Sequence, residues 1–546
     1  MNRLLYLNTH SDMSEFKMAD YDVIIAGGGP TGVALGIELG LHNIKALILE
    51  KYAAPLLSPR AQLINARSME FFMRWDLDAK LKSKEIASSE FPNHGVWCST
   101  LNGKTYATSS SNDHLNESLS PQLNIRVPLW LTEEVLRDKL KEFPCIDLLK
   151  QHEVIDVTLN KNSVTVSSKD KHNEIINFNA SYVVGCDGTN SVTRKSVGIN
   201  YKTLAPAKRV ISVVFESPEF KNHITVKKGC LFFLLESPLP SAIGSIDPQR
   251  GLWYAQIIYN GFEENIEDVN IDQLLNDISG VVFPKKILKA HFWDMHIQVA
   301  EHFSKDNRVF LIGDSAHGFV PTGALGLNTG FGDVVNLGWK LAAVIHGEAN
   351  PSLLETYEQE RRPICLRNLE IAQQNADDMA ALRKKYDPVK NTDEFAKASA
   401  ELAKQFSSSL GATMGYAYFN SALTQLQNNQ STIPMPKAAY TPTTDPGYFL
   451  PHVWLDNHQS IYRLLSAKNW TLIISGEYDS ASIEQWMRQF DEKHISLEIL
   501  PLREGIYSSK YILTRPDWHI VFCCDELEYN CNNNLLNYIF RKNETT

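Results

Sequence analysis

Residues 21–50 read YDVIIAGGGPTGVALGIELGLHNIKALILE, and this stretch decides the fold. It opens on an apolar run, 21–26, of the kind that forms a strand buried on both faces of a parallel sheet. Gly27, Gly29 and Gly32 follow at G-x-G-x-x-G spacing, with Pro30 and Thr31 between them. Apolar residues then recur at helical spacing over 33–41, and a second apolar run over 45–49 ends at Glu50. Strand, glycine turn, helix, strand is a βαβ unit of about 30 residues. Gly27 allows the tight turn, Gly29 lets backbone approach a pyrophosphate, and Gly32 lets helix and strand pack closely. The helix N-terminus faces the phosphates, and Glu50 can accept hydrogen bonds from a ribose diol.

Outward from this unit the chain reads as an α/β protein. A strand leading into an amphipathic helix is expected over 123–143, alternating strands over 154–166 and 175–178, and another buried strand over 181–185. Strand-rich sequence from about 205 to 300 predicts a separate sheet. A buried strand over 308–312 precedes a long glycine-bearing loop and a helix from about 332 to 345. Residues 365–430 are mostly helical and polar, 433–451 carry several prolines, and strands near 470–475, 496–500, 512–514 and 520–523 suggest a small α/β domain.

The bulk properties bound the function. A chain of 546 residues is too long for one ordinary domain, and its 43% hydrophobic content is enough for a large core. A net charge of −10 offers no nucleic-acid footprint and no basic membrane-binding surface. No run reaches the roughly 18 apolar residues of a spanning helix. Eight cysteines without a C-x-x-C fit reduced thiols in a cytoplasmic protein, and no metal site is expected.

Two later segments make the dinucleotide site specific. Residues 184–195 read VGCDGTNSVTRK, and 311–341 read LIGDSAHGFVPTGALGLNTGFGDVVNLGWKL. With the glycine motif, these resemble the single-component flavoprotein aromatic hydroxylases, the group of para-hydroxybenzoate, phenol and dichlorophenol hydroxylases. All three motifs occur in the family's order, and the resemblance covers residues 20–375. The tail segments FLPHVWL (449–455) and LTRPDWHIVF (513–522) resemble the thioredoxin-like tail domain of the phenol hydroxylase branch.

The resemblance implies a Rossmann-like FAD-binding domain with an inserted mixed-sheet substrate domain and a C-terminal thioredoxin-like α/β domain. On that reading 1–19 are an extension, 20–204 and 301–375 the two parts of the FAD-binding domain, and 205–300 the substrate sheet. A helical region and linker fill 376–444, and 445–546 form the tail domain. The implied enzyme binds FAD and uses NADPH or NADH as a transient co-substrate. With O2 it hydroxylates a phenolic or other small aromatic substrate through a C4a-hydroperoxyflavin. A single glycine motif leaves the nicotinamide without a domain of its own, so flavin swinging would gate the cycle.

Family roles carry over by position. Asp314, at the end of a buried strand, holds the ribityl hydroxyls. The Gly326–Leu327–Asn328 loop before a helix stabilises negative charge at the N1–C2 carbonyl of reduced flavin. Pro321 lies beside the reactive face of the ring, Asp187 and Gly188 serve FAD and NAD(P)H handling, and Arg60 meets the FAD phosphates or the flavin edge. Tyr254 aligns with a substrate-side tyrosine. Gln62 stands where relatives place an acid or a histidine, and an amide is no general base at neutral pH. Leu129 replaces a flavin-contacting glutamine or arginine, Gly323–Ala324 replaces a glycine pair, and Trp518 replaces the glycine of R-P-D-G. The tail is expected to support packing or a homodimer rather than thiol chemistry. Alternatives are a same-fold flavoprotein performing epoxidation, Baeyer–Villiger oxidation or polycyclic natural-product hydroxylation, and a non-catalytic dinucleotide-binding protein.

Overall fold

The apolar run at 21–26 is strand β1 (Tyr21–Ala26), and it leads through the glycine turn into α1 (Pro30–Leu41) and β2 (Ala46–Glu50). The computed structural model describes residues 20–55, 61–388, 390–419, 421–424 and 437–527. The expected N-terminal extension, Arg60 and the last part of the tail lie outside the described residues. Val23, Ile24 and Ile25 are fully buried, each contributing about 1.5–3 kcal/mol relative to exposure.

Helices α2 (Ala66–Arg74) and α3 (Leu129–Leu140) come next, then β3 (Ile175–Gly185), β4 (Tyr201–Glu216), β5 (Ser241–Asp247), β6 (Leu252–Ile258) and β7 (Lys286–Ala300). The chain returns through β8 (Val309–Leu311) to α4 (Leu325–Ile345) and α5 (Glu355–Lys385). The first sheet has the order Ser304–Lys305, β8, β3, β1, β2, Ile146–Lys150, with β8, β3, β1 and β2 parallel. The two short strands expected at 175–178 and 181–185 are one strand: the first half of β3 pairs antiparallel with Val164–Lys169 and the second half pairs parallel with β1. Its alternating and continuous apolar patterns reflect one solvated face giving way to two buried ones.

The second sheet has the order His317–Gly318, β7, β4, β6, β5, Leu231–Leu234, His94–Cys98, Thr105–Ser110. It therefore draws strands from both sides of the expected 205–300 segment. Its outer face packs Ile211, Val213, Trp253 and Ala255 into a separate core. The inner face is covered at two places. Trp97, Phe233 and Leu235 meet Leu382, Phe395 and Leu402 at one, and Val210, Met295 and Ile297 join the core of the first sheet at the other. Between these covers Tyr254, Gln256, His291 and Trp293 remain half-buried.

The tail consists of β9 (Trp470–Ser475), α6 (Ser480–Asp491), β10 (Leu497–Leu502), β11 (Tyr511–Thr514) and β12 (Ile520–Cys524). Their order is β10, β9, β11, β12, with β9 and β10 parallel and the rest antiparallel, the thioredoxin-like arrangement. The tail is less separate than its sequence suggests. Phe449, Leu450, Ile461 and Trp518 belong to the same buried cluster as β1. Buried ions cross the seam as well: Glu360 takes Arg515 at 2.6 Å, and Arg74 on α2 donates to the Ala467 carbonyl at 2.6 Å. No helix among the described residues is long and apolar enough to cross a membrane.

Candidate active site

At the C-terminal edge of the first sheet the glycine turn meets β3. Gly27 has φ +104°, and a Cβ there would lie 2.4 Å from the Cys186 carbonyl, so only glycine fits. The Glu50 carboxylate accepts from Gly28 N at 2.8 Å and Tyr52 N at 2.7 Å, and so anchors the turn while keeping lone pairs available. Gly29 caps α1 with no side-chain hydrogen bond, Pro30 occupies the first helical position, and no acid stands in the first turn. The N–H groups of Thr31 and Gly32 thus lack helical partners. A Cβ on Gly29 would meet nothing within 4 Å, so the mouth of the helix is open. These features fit the pyrophosphate of a dinucleotide.

The other motifs converge on the same place. Thr31 touches the 311–341 segment at two points: a Cβ on Gly330 would lie 2.8 Å from its Cγ2, and one on Gly313 3.2 Å. Asp187 is occupied locally. Its Oδ2 accepts from Thr193 N at 2.9 Å and Thr193 Oγ1 at 3.0 Å, and its Oδ1 from Ser191 Oγ. Gly188 has φ +80° with open space beside it.

Asp314 differs from expectation. The strand ends at Leu311, Gly313 turns the chain at φ +60°, and Asp314 sits exposed in a turn rather than buried at a strand end. Its carbonyl is held by Tyr201 Oη at 2.6 Å. The second difference is α4, which starts at Leu325 instead of near 332. Gly326, Leu327 and Asn328 are therefore its first turn, not a loop before it. The glycines here lower helix propensity, but they admit the close packing on Thr31 that holds the helix, and tertiary contact overrides propensity. Ala324 caps α4 in the left-handed region at φ +53°, without a side-chain cap, and no acid follows. The N–H groups of Leu325, Gly326 and Leu327 are left without helical partners. Asn328 lies one position further in, where helical geometry sets its N–H opposite the Ala324 carbonyl. Its side chain ties α4 to the strand beside Gln62, accepting from Asn65 N at 3.0 Å and donating to Leu63 O at 3.0 Å.

Gln62 is 5% exposed and donates from Nε2 to the Ser245 carbonyl at 3.1 Å, while its Oε1 is buried with no protein partner. The Ser245 carbonyl demands a donor, so the amide orientation is determined and the side chain presents an acceptor. One residue along β5, Gly244 lies under the Tyr254 ring. Burial raises the Tyr254 pKa, and the nearby Arg126 charge opposes that rise. Pro321 is exposed on the loop before α4, and its carbonyl accepts from Ala324 N at 3.2 Å. Leu129 is buried at the start of α3. Arg67 is no candidate for cofactor contact: it is buried, pairs with Glu70 and lies over the Phe449 ring.

Three further residues take part, two of them, Arg137 and Tyr201, outside the quoted motifs. Arg137 on α3 donates to the Gly28 carbonyl at 2.9 Å and so reaches the glycine turn from 109 residues away. Tyr201 and Arg194 brace the Asp314 turn, with the Arg194 guanidinium 3.5 Å from the Tyr201 ring and donating to Ser315 O at 3.3 Å. Arg194 stands inside the 184–195 motif, whereas Arg137, beside Glu133 on α3, reads in sequence as an ordinary helix-surface ion pair.

Comparison with known proteins agrees with this geometry. The family described as an FAD binding domain matches residues 20–372. The chain is 28% identical to the FAD-dependent monooxygenase apdD of Emericella nidulans, over 91% of this chain and 87% of that protein. It is 27% identical to the 2,4-dichlorophenol 6-monooxygenase of Delftia acidovorans, over 88% of each. The solved structure of the rebeccamycin biosynthetic enzyme RebC with reduced flavin superposes with a TM-score of 0.85 at 25% identity, covering 95% of this chain and 98% of that one.

Proposed function

This chain belongs to the FAD-binding-domain family, and on that premise we propose that it is an FAD-dependent monooxygenase that uses NADPH or NADH and O2 to hydroxylate a phenolic or other aromatic substrate. One observation carries the reading. Two helices, α1 and α4, bring N-termini with no side-chain cap and no acid into one site, joined at Thr31 and Gly330. Bound FAD supplies the chemistry, taking hydride from the nicotinamide and activating oxygen.

The protein's own contributions follow from position. Thr31 and Gly32 N–H groups receive the pyrophosphate, and Glu50 receives the adenosine ribose. Asp314 and Tyr201 frame the ribityl chain, with Asp187 and Gly188 behind it. The Leu325, Gly326 and Leu327 N–H groups supply a positive field where the ring gains negative charge. Gln62 Oε1 accepts a hydrogen bond from a substrate hydroxyl and orients it. It takes no proton, so the phenol ionises without a base at position 62. Pro321 and Tyr254 bound the space where the aromatic ring sits and exclude water from it.

A second reading is a larger polycyclic substrate. It is favoured by the half-buried strip of the inner face, where Gln256 donates to Ser212 Oγ at 2.9 Å and accepts from Trp293 Nε1 at 3.3 Å across three strands. The free thiols of the described residues suit a cytoplasmic setting, and the proposed assembly is a homodimer. The test is a panel of phenols, hydroxybenzoates and fused-ring polyphenols, following NADPH and NADH oxidation with product identification. A true substrate should accelerate flavin reduction many-fold and gain one oxygen atom. FAD-replete protein that oxygenates nothing in the panel would refute the reading.

A further inference from the structure

A buried ion pair outside the proposed contacts ties together the two segments that face the flavin. Asp333 lies on α4, two turns beyond its N-terminus, and is fully buried. One carboxylate oxygen accepts from Gly313 N at 3.3 Å and from His317 Nε2 at 2.8 Å. The other accepts from Arg361 Nε on α5 at 2.8 Å. Arg361 in turn donates to the Thr329 carbonyl in the first part of α4 at 2.9 Å and to Tyr418 Oη at 3.2 Å. Tyr418 stacks on His519 of the tail, ring centroids 4.1 Å apart. Asp333 thus holds the Gly313–Ser315 turn, the short strand bearing His317, and α5 around the start of α4.

An isolated buried carboxylate is costly, and this one satisfies both oxygens with three donors from three different segments. The buried Arg361 guanidinium needs a counter-charge, and Asp333 supplies it while also taking the Gly313 and His317 donors. A carboxylate with that donor set fixes the separation of the Asp314 turn and the open N-terminus of α4, the two places that would hold the ribityl chain and the ring of FAD.

We propose that Asp333, acting through His317 and Arg361, is the positioning residue of the FAD site. It touches no cofactor atom; it sets the separation of the two segments that do. This inference rests on the FAD site described above.

The experiment uses the full chain, stripped of FAD and reloaded. Asp333→Asn keeps the shape and removes the charge. At unchanged far-ultraviolet circular dichroism, FAD should bind about tenfold more weakly or worse, the scale of one charge-assisted hydrogen bond. The visible circular dichroism of FAD at saturation should also change, which loss of stability alone would not produce. His317→Gln retains an N–H donor and should stay near wild type, whereas His317→Leu should lose about as much as Asp333→Asn. A folded Asp333→Asn variant with wild-type affinity and spectrum would overturn the inference. Equal affinities for His317→Gln and His317→Leu would overturn it too, and that pair decides the matter if Asp333→Asn does not fold. Asp314→Ala separates the two readings. If it weakens FAD while Asp333→Asn does not, only the positioning role fails. If the chain binds no FAD at all, the site itself is wrong.

Discussion

Trp518 occupies a left-handed backbone position, φ +65°. The strain is tolerated because the ring is bound on several sides: it stacks on Tyr462 at 5.3 Å and donates from Nε1 to Ser466 O at 2.9 Å. Left-handed backbone costs a side chain about 1–2 kcal/mol, and loss of a buried Trp ring about 3–5 kcal/mol. Both Trp518→Ala and Trp518→Gly should therefore destabilise the protein. The glycine variant should be the more stable of the two by about 1 kcal/mol, the reverse of the usual order. Denaturant unfolding of the pair measures this, and an alanine variant at least as stable as the glycine one would contradict it. Gln62 raises a different question at the same scale. Gln62→Leu should lower kcat/KM by roughly 5- to 150-fold through loss of one buried acceptor, with FAD affinity unchanged. An unaltered kcat/KM would remove Gln62 from the substrate's reach.

At the scale of elements, α1 and α4 each keep their first-turn donors uncapped, as α3 and α5 do, whereas α2, Ile271–Ser279 and α6 are capped by Asn65, Asn270 and Asp479; α1 and α4 are the pair whose open ends meet at Thr31 and Gly330. Open N-termini lose the stabilisation a cap provides, about 1 kcal/mol each, unless an anion supplies it. FAD should therefore stabilise the fold markedly, and its removal should lower Tm; an apo-protein with the holo Tm would argue against the placement. Asp314 is exposed, so Asp314→Ala should cost about 1–2 kcal/mol of FAD affinity, or roughly 5- to 30-fold. Glu50→Ala should cost more, because it also frees two N–H groups of the turn. Titration of apo-protein by flavin fluorescence ranks the two variants, and the reverse ranking would show that Glu50 only shapes its own loop.

The whole molecule is joined by a buried ionic seam between the tail and the α4–α5 pair. Glu360 accepts from Arg515 at 2.6 and 3.0 Å, Lys340 at 2.7 Å and Asn336 at 2.6 Å. Arg515→Met takes one of two cations from Glu360 and the paired cation from buried Asp517, and should cost about 3–5 kcal/mol. Burial opposes ionisation of Glu360, but Arg515 and Lys340 outweigh it and hold the carboxyl well below the usual range. Burial likewise opposes ionisation of Asp517, and Arg515 again prevails. Both groups hold protons more weakly folded than unfolded. The stability they contribute is complete above the unfolded pKa of about 4 and is lost as pH falls through the lower folded values. Unfolding free energies measured from pH 7 downward should show the gap between wild type and Arg515→Met narrowing below about pH 4. A gap independent of pH would assign the loss to packing.

Sequence alone determined the βαβ unit, the glycine turn, Glu50, the two later motifs and the strand-rich middle, because each is written in local periodicity or in residues whose chemistry has few uses. Gly27 had to be a turn glycine whatever the rest of the chain did. What only the tertiary structure decided depends on partners far away in sequence. The start of α4 at Leu325 required Thr31 against Gly330, and the exposure of Asp314 required the bend at Gly313. The single strand β3 required two different neighbours, and the reach of Arg137 to Gly28 required α3 to lie across the turn. Gln62 shows the division most clearly: its residue type excluded a base, but its role as an acceptor depends on a carbonyl 183 positions along the chain. Hydrogen-bond partners are chosen by the packed fold, since burying an amide requires a partner wherever the chain supplies one.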